Sequence, residues 1–556
     1  YNPLPSLYLF PRGDNFDEIR LYERYNTNYG YMEQYWPYGD ASLSLQNPYW
    51  IQNRINRTSN KKRYMMNASL KWQATDWLNV VGRVNLDNSD YRNKNEKSAS
   101  TLTTFCGVSG GFEDAMRQER SLYADFLANI DKTFGDFHLT ANVGASIYHT
   151  SMDQLYIAGD LVIPNFFQIN NINFSANYKP DPTGYEDEIQ SIFASAELSW
   201  KNQLYLTVTG RNDWDSKLAF SKQKSFFYPS VGLSALLSEM VKLPEVISYA
   251  KIRGSYTVVA SSFDRFLTNP GYEYNSQTHN WANPTVYPMD NMKPEKTKSW
   301  EIGLNLKFWG NRFNLDATYY RSNTLNQTFK VDIPSSSGYK QAIVQAGNVQ
   351  NQGIELALGF SDKWAGFGWS SNATFTLNRN KVKRLASGSV NPVTGEAIQM
   401  DEMNVGWLGK ENVAPRVILT EGGSMTDIYV YNQLTKDNNG NIKVDQNGNL
   451  GITSSNTPVK VGNLDADFNL GWTNHFTYKG IDLGVVLSAR VGGLAYSATQ
   501  GILDYYGVSE TSATARDNGG IPINNGKVNA QKYYQTIGTG EGGYGRYSVS
   551  YTHLTL

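Results

Sequence analysis

From Ser299 to Gln327 the chain reads SWEIGLNLKFWGNRFNLDATYYRSNTLNQ, and apolar and polar positions alternate along it. Trp300, Ile302, Leu304, Leu306 and Phe308 fall on one side, with Glu301, Gly303, Asn305 and Lys307 on the other. After Gly310-Asn311 the alternation resumes, with Phe313, Leu315, Ala317 and Tyr319 against Asn314, Asp316, Thr318 and Tyr320. Strand side chains alternate between faces and a Gly-Asn pair suits a tight turn, so the pattern predicts a β-hairpin.

The same pattern recurs along the chain. Predicted pairs are 64–73 with 77–88, 122–132 with 137–149, 190–200 with 203–213, 227–238 with 249–259, 298–308 with 312–323, 352–362 with 366–379, and 466–477 with 480–490. Turns within pairs are mostly short, as at Lys201-Asn202, Gly310-Asn311 and Lys479-Gly480. Between pairs the chain runs through long stretches at 89–120, 150–189, 260–297, 324–351, 380–465 and 491–545. Compact soluble domains rarely use loops beyond about 12–15 residues, whereas outer-membrane barrels alternate short periplasmic turns with long extracellular loops.

Strand length agrees with this. Runs of about ten alternating residues cross a bilayer at a tilt, while soluble strands average about 5–6 residues. Aromatics gather near strand ends, as with Trp72 and Trp77 or Trp300, Phe308, Trp309 and Phe313, the placement of interfacial girdles. The polar sides carry Arg83, Asp87, Glu197, Arg211, Glu301, Lys307, Asp316 and Glu355. A basic residue facing lipid at the midplane costs about 2–4 kcal/mol, so these positions are expected to face water inside a barrel. A set of soluble β-sandwiches, each burying one face of each strand, is the alternative.

Composition adjusts the picture. Only 18% of the 556 residues are charged, against about 25% in ordinary soluble domains, while Tyr (37), Gly (48) and Trp (13) are abundant. The formal charge of -1 offers no electrostatic reason for a nucleic-acid partner. Five His and a single cysteine, Cys106, leave little for a metal site or a disulfide framework. No run of about 18 apolar residues exists, which excludes a transmembrane helix, and a mean hydropathy of -0.48 is compatible with half-apolar barrel strands and polar loops. The chain opens at Tyr1 with no signal-like segment and so reads as a fragment or processed product.

Motifs with chemical potential are few. Gly540–Gly545, GEGGYG, matches G-x-G-x-x-G but lacks the flanking strand and helix of a dinucleotide site, and reads as a loop. Asp437–Asn449, DNNGNIKVDQNGN, has Ile442 where an EF-hand loop needs Gly, and reads as two tight turns around a short strand. His138, His279 and His475 sit in no nucleophile motif, so no catalytic, cofactor or metal residue is assigned and no enzyme is expected. The segment Asn269–Pro288, NPGYEYNSQTHNWANPTVYP, mixes aromatics with amides, which either grip sugars and partner proteins or pack loops together.

Several segments resemble the SusC/RagA-type TonB-dependent outer-membrane transporters: LYLTVTGRNDWDSKL (204–218), FFYPSVGLSALLSE (226–239), YAKIRGSYTVV (249–259), MKPEKTKSWEIGLNLKF (292–308), ATYYRSNTLNQ (317–327), AGNVQNQGIELALGF (346–360) and NPYWIQNRINRTSNKKRYMMNASLKW (47–72). The resemblance implies an all-β, 22-stranded transmembrane barrel in the outer membrane, filled by an N-terminal plug and capped by a SusD-like lipoprotein. It implies import of oligosaccharides or peptides, energised by TonB through a TonB box. Plug and TonB box have no counterpart in this chain, whose residues 1–548 read as partial barrel. Residues 549–556 depart from the pattern and read as a non-native tail. Family ligand contacts vary, so no substrate-binding residue is carried over, and Glu301, Lys307 and Asp316 are expected to hydrate the lumen or hold a plug. A passive porin and a soluble surface glycan-binding β protein remain as alternatives.

Overall fold

The computed structural model describes residues 2–41, 43–174, 180–269, 271–275, 280–289, 292–408, 415–537, 548–550 and 553–555. All seven expected hairpins form. Their strands are β1 (Ile55–Thr75), β2 (Leu78–Lys97), β3 (Gly111–Phe134), β4 (Phe137–Asp160), β5 (Asp181–Trp200), β6 (Leu204–Asp215) and β7 (Ser225–Leu236). They continue with β8 (Ile247–Ser261), β9 (Glu295–Phe308), β10 (Phe313–Asp332), β11 (Gln341–Trp364), β12 (Phe367–Arg384), β13 (Phe468–Tyr478) and β14 (Ile481–Val491). Each pairs antiparallel with the next, giving one meandering wall from β1 to β14. Of the tail, Val549 and Ser550 belong to a short strand against Leu494–Tyr496, and His553–Thr555 pairs with β14.

The turns explain the tight connections. Ala365-Gly366 and Lys479-Gly480 have positive φ at both positions, which gives the twist that joins adjacent strands of a right-handed hairpin. On the outward face, rows such as Ile252, Leu304, Ala317, Leu356 and Phe375 follow one another across strands β8 to β12 in direct register. At the short-turn end Phe308, Trp309, Phe313, Phe360, Trp369 and Phe476 form a chain of ring contacts with centroids 4.6–6.1 Å apart. This belt is the girdle expected at a membrane–water interface.

Strands are longer than the hydrophobic alternation indicated. The stretch 89–120, expected as a connection, is mostly strand, and only residues 98–110 join β2 to β3. Above the apolar band charged residues take positions that are apolar lower down, so the apolar period vanishes while pairing continues through ladder bonds and ion pairs such as Arg92 with Asp114, 2.8 Å apart. In the same way β4 and β5 extend into 150–189, and β10 and β11 into 324–351.

The buried apolar cores lie at the long-loop end, because in the middle of the wall the apolar face is turned outward. One core gathers Phe329, Val331, Val344, Val349, Val382, Leu385 and Leu419. A paired kink builds it: Asn326 on β10 and Gly347 on β11 both have positive φ. A Cβ on Gly347 would lie 2.9 Å from the Phe329 ring, so only glycine fits. Above the kink Phe329 and Val331, whose odd numbering faces outward lower on β10, join Val349 and Val382 from the polar-face register.

The long connections carry structure that the hydrophobic pattern did not reveal. Residues 402–463 hold a four-stranded sheet of Glu402–Trp407, Arg416–Thr420, Asp427–Leu434 and Ile452–Asn463. Residues 498–537 hold three short helices, two of them capped by Ser497 and Ser509, whose side chains accept from the backbone N–H three residues on.

Candidate functional site

The inward face of the wall is polar and internally bonded. Arg83 on β2 stands directly opposite Asp125 on β3 and donates to it through Nε at 2.9 Å and Nη2 at 2.6 Å. Tyr123 adds a third bond to that carboxylate at 2.8 Å. On β6 Arg211 bonds Asp213 at 2.7 Å and reaches Ser191 on β5 at 2.7 Å, while the Tyr228 hydroxyl from β7 donates to Asp213. Further round, Arg253 on β8 pairs with Asp316 on β10 at 3.0 Å, and Asn305 of the intervening β9 donates to the same carboxylate at 2.9 Å. An amide ladder follows, with Tyr320 bonded to Asn378 at 3.1 Å, and Asn378 and Asn380 both donating to Asn351.

These contacts pair each arginine with an aspartate, so the face is hydrophilic with little excess charge. Of the residues expected to line a lumen, Asp316 is tied to Arg253, Lys307 lies 5.3 Å from the Tyr249 ring centroid, and Glu301 has no ion pair among the described residues. Arg83, Arg211 and Asp316 are therefore staples between neighbouring strands as well as lining groups.

Among the described residues the histidines stand apart from one another. His138 contacts the Thr133 and Thr140 hydroxyls and lies 3.4 Å from Asp131, and His475 lies 3.4 Å from Asp482 in the next strand. His279 and the Gly540–Gly545 stretch lie outside the described residues. Among the described residues no group of three His, Cys, Asp or Glu could hold a metal ion. The segment Asp437–Asn449 folds as the two expected turns, with isolated bridges at Ile442 and Val444 in place of the short strand between them. Asp437 accepts from the N–H groups of Asn439 and Asn441, and Asp445 from those of Asn447 and Asn449. These backbone bonds hold both carboxyls below the usual carboxylate range.

At the loop end the segment 269–288 divides. Tyr287 packs edge-on against Tyr339, with ring centroids 5.2 Å apart, beside the buried core. Tyr274 and Trp281, on the paired stretches Glu273–Asn275 and Asn280–Ala282, touch each other at 5.1 Å but are 50% and 68% exposed. The packing reading holds for Tyr287, while Tyr274 and Trp281 present an aromatic plate to solvent beside exposed Tyr272. The alternating sequence gave no signal for which ring did which.

A wall of long antiparallel strands, lipid-facing on one side, polar on the other and belted by aromatics, is that of a large transmembrane β-barrel of the outer membrane. Residues 6–416 match the family described as TonB dependent receptor-like, beta-barrel, and the chain belongs to it, in its SusC/RagA type. TonB-dependent receptor P3 of Formosa agariphila is 23% identical over 426 residues, covering 71% of this chain and 41% of that protein. TonB-dependent receptor SusC of Bacteroides thetaiotaomicron is 25% identical over 353 residues, covering 58% of this chain and 34% of SusC. Among solved structures, the RagAB peptide importer in its open-open state superposes with a TM-score of 0.66 at 15% identity, over 89% of this chain and 51% of the other. The chain spans about two fifths of the length of the first of these curated relatives.

Proposed function

We propose that this chain is the barrel portion of a transporter that imports large nutrients, oligosaccharides or peptides, across the outer membrane. It works as a transporter and not as an enzyme, energised by TonB and partnered by a SusD-like surface lipoprotein. The observation that carries the reading is the inward face: a polar, bonded and nearly charge-balanced wall suits a hydrated path for a bulky polar solute. A barrel of this width leaks if empty, so gated uptake needs a plug inside it. The similar structure, that of the RagAB peptide importer, supports peptides as one cargo class, and oligosaccharides are the other class that the resemblance to SusC/RagA-type transporters implies.

The test is made with the complete native protein in its own membrane. Deleting its gene is expected to abolish growth on a defined oligosaccharide or peptide mixture, and deleting TonB is expected to give the same loss. Affinity capture of the detergent-solubilised protein is expected to retain a surface lipoprotein. Uptake that persists without TonB, together with a constant open conductance in planar bilayers, would replace this reading with a passive pore.

A further inference from the structure

On the outward face, directly above the apolar band, strands β9 to β12 carry a basic patch. The register places Trp300, Arg321, Gln352 and Arg379 side by side, and the next row up holds Lys298, Asn323, Gln350 and Lys381. Lys296 stands one further step up β9. Immediately below is the row Ile302, Tyr319, Ile354 and Leu377, which faces lipid.

The level of the patch follows from strand geometry. Phe308 lies in the aromatic belt at the short-turn end, and Lys298 is ten residues higher (308 − 298). At about 3.3 Å per residue and a tilt of about 40°, that is about 25 Å along the membrane normal, the height of a barrel's apolar band. The patch therefore sits where the acyl chains of the outer leaflet give way to head groups. Trp300 and Tyr319, with ring centroids 5.3 Å apart, mark the same boundary.

None of the five cations has a carboxylate partner among the described residues. Arg321 donates to the Gln350 side chain at 3.0 Å, Gln350 in turn donates to Gln352 at 2.8 Å, and Arg379 reaches only the backbone carbonyls of Asn378 and Asp467. The inward arginines, by contrast, are matched to aspartates. Nor is the patch a general feature of this level: on β4 and β5 the outward face carries Asp153, Glu186 and Glu188, with His149 3.7 Å from Glu188.

We infer that Lys298, Arg321, Arg379 and Lys381 bind the phosphorylated head group of an anionic glycolipid of the outer leaflet, its acyl chains lying on the rows below. Concentrated positive charge favours phosphate, the planar guanidinium fork matches it, and the adjoining apolar wall selects an amphiphile over a free anion. A second copy of the same face would bring like charges together.

The experiment uses the complete protein in dodecyl maltoside, exposed to phosphorylated lipid A or to the same lipid after phosphatase treatment, with retained lipid counted by native mass spectrometry. Phosphorylated lipid A is expected to be retained at least tenfold better than the dephosphorylated form. Retention is expected to fall about tenfold in the K298Q/R379Q/K381Q variant and to persist in K298R/K381R. Inorganic phosphate at equal concentration is expected not to displace it. Heat-modifiable gel migration shows that each variant is folded. Equal retention of both lipids, unchanged retention in the glutamine variant, displacement by inorganic phosphate, or a change in oligomeric state with lipid retention intact would overturn the assignment.

Discussion

Arg253 crosses an entire strand to reach Asp316. The arginine is on β8 and the aspartate on β10, and their ion pair at 3.0 Å passes over Gly303 of β9. A Cβ on Gly303 would sit 2.5 Å from Arg253 Nε and 2.6 Å from Cζ, so the missing side chain is the passage through which the guanidinium runs. Tyr320 uses the same device, passing Gly353 of β11 to bond Asn378 on β12. Such bridges tie strands two apart and stiffen the inward face.

The two glycines differ in what they touch, and this gives a first prediction. At Gly303 the obstacle is a flexible side chain that can swing away, whereas at Gly353 a Cβ would meet the Leu377 carbonyl oxygen at 2.3 Å. Gly303→Ala is expected to cost about 0.5–1 kcal/mol, the scale of a partly exposed ion pair. Gly353→Ala is expected to cost about 2 kcal/mol, because a strand backbone must shift. Urea unfolding of the complete protein in detergent measures both, and equal costs would contradict the distinction.

Cys106 is buried at 8% exposure, and burial pushes its thiol up to about 11, with Lys97 opposing. The thiolate is the reactive form, so alkylation at pH 8 is expected to run about 100-fold slower than for a free cysteine. Because the folded value is raised, burying the thiol favours the folded state less as pH climbs past the unfolded value of about 8.5. Mass spectrometry of iodoacetamide-treated protein between pH 7 and 10 reads the rate, and rapid labelling at pH 7 would show the site to be open.

The paired turns at Asp437 and Asp445 depend on ionised carboxylates. Their folded values are depressed, so their contribution is present above the unfolded value of about 3.9 and lost as pH falls through the folded one. Asp437→Ala with Asp445→Ala is expected to speed tryptic cleavage at Lys436 and Lys443 at pH 8. Asp→Asn at both, which keeps an acceptor oxygen, is expected to fall between. Cleavage at the wild-type rate in the alanine variant would show the turns to be held by other contacts.

Trp281 and Tyr274 form the exposed aromatic plate at the loop end. If the proposed import of oligosaccharides or peptides holds, Trp281→Ala is expected to raise the KM of uptake about tenfold, the loss of one well-placed aromatic contact, with folding unchanged. Tyr287→Ala, which removes packing against Tyr339, is instead expected to lower thermal stability. An unchanged KM in the Trp281 variant would leave the plate without a role in capture.

Much of the fold was legible from alternation alone. Seven hairpins, their turns and the split between a lipid-facing and a polar side follow from Trp300–Phe308 and its repeats, since a lipid-spanning strand must present opposite chemistries on its two faces. Where that contrast disappears, legibility ends. Arg92 and Asp114 lie in strand that hydrophobic pattern could not detect, because there an ion pair takes positions that are apolar lower down. The helices near Ala498 and Glu510 are too short for a clear period, and their caps become visible only once the chain is folded.

The sequence by itself determined the class of protein: period-two alternation over bilayer-length runs, joined by short turns and long loops, has a closed barrel in lipid as its stable solution, because only there are all backbone groups bonded without an exposed edge. The tertiary structure decided which residues meet. The reach of Arg253 over Gly303, the inversion at Asn326 and Gly347, and the alignment of Lys298, Arg321, Arg379 and Lys381 into one patch each depend on strand register. Register is fixed by pairing between strands, and a single strand's pattern carries no record of which neighbour stands opposite.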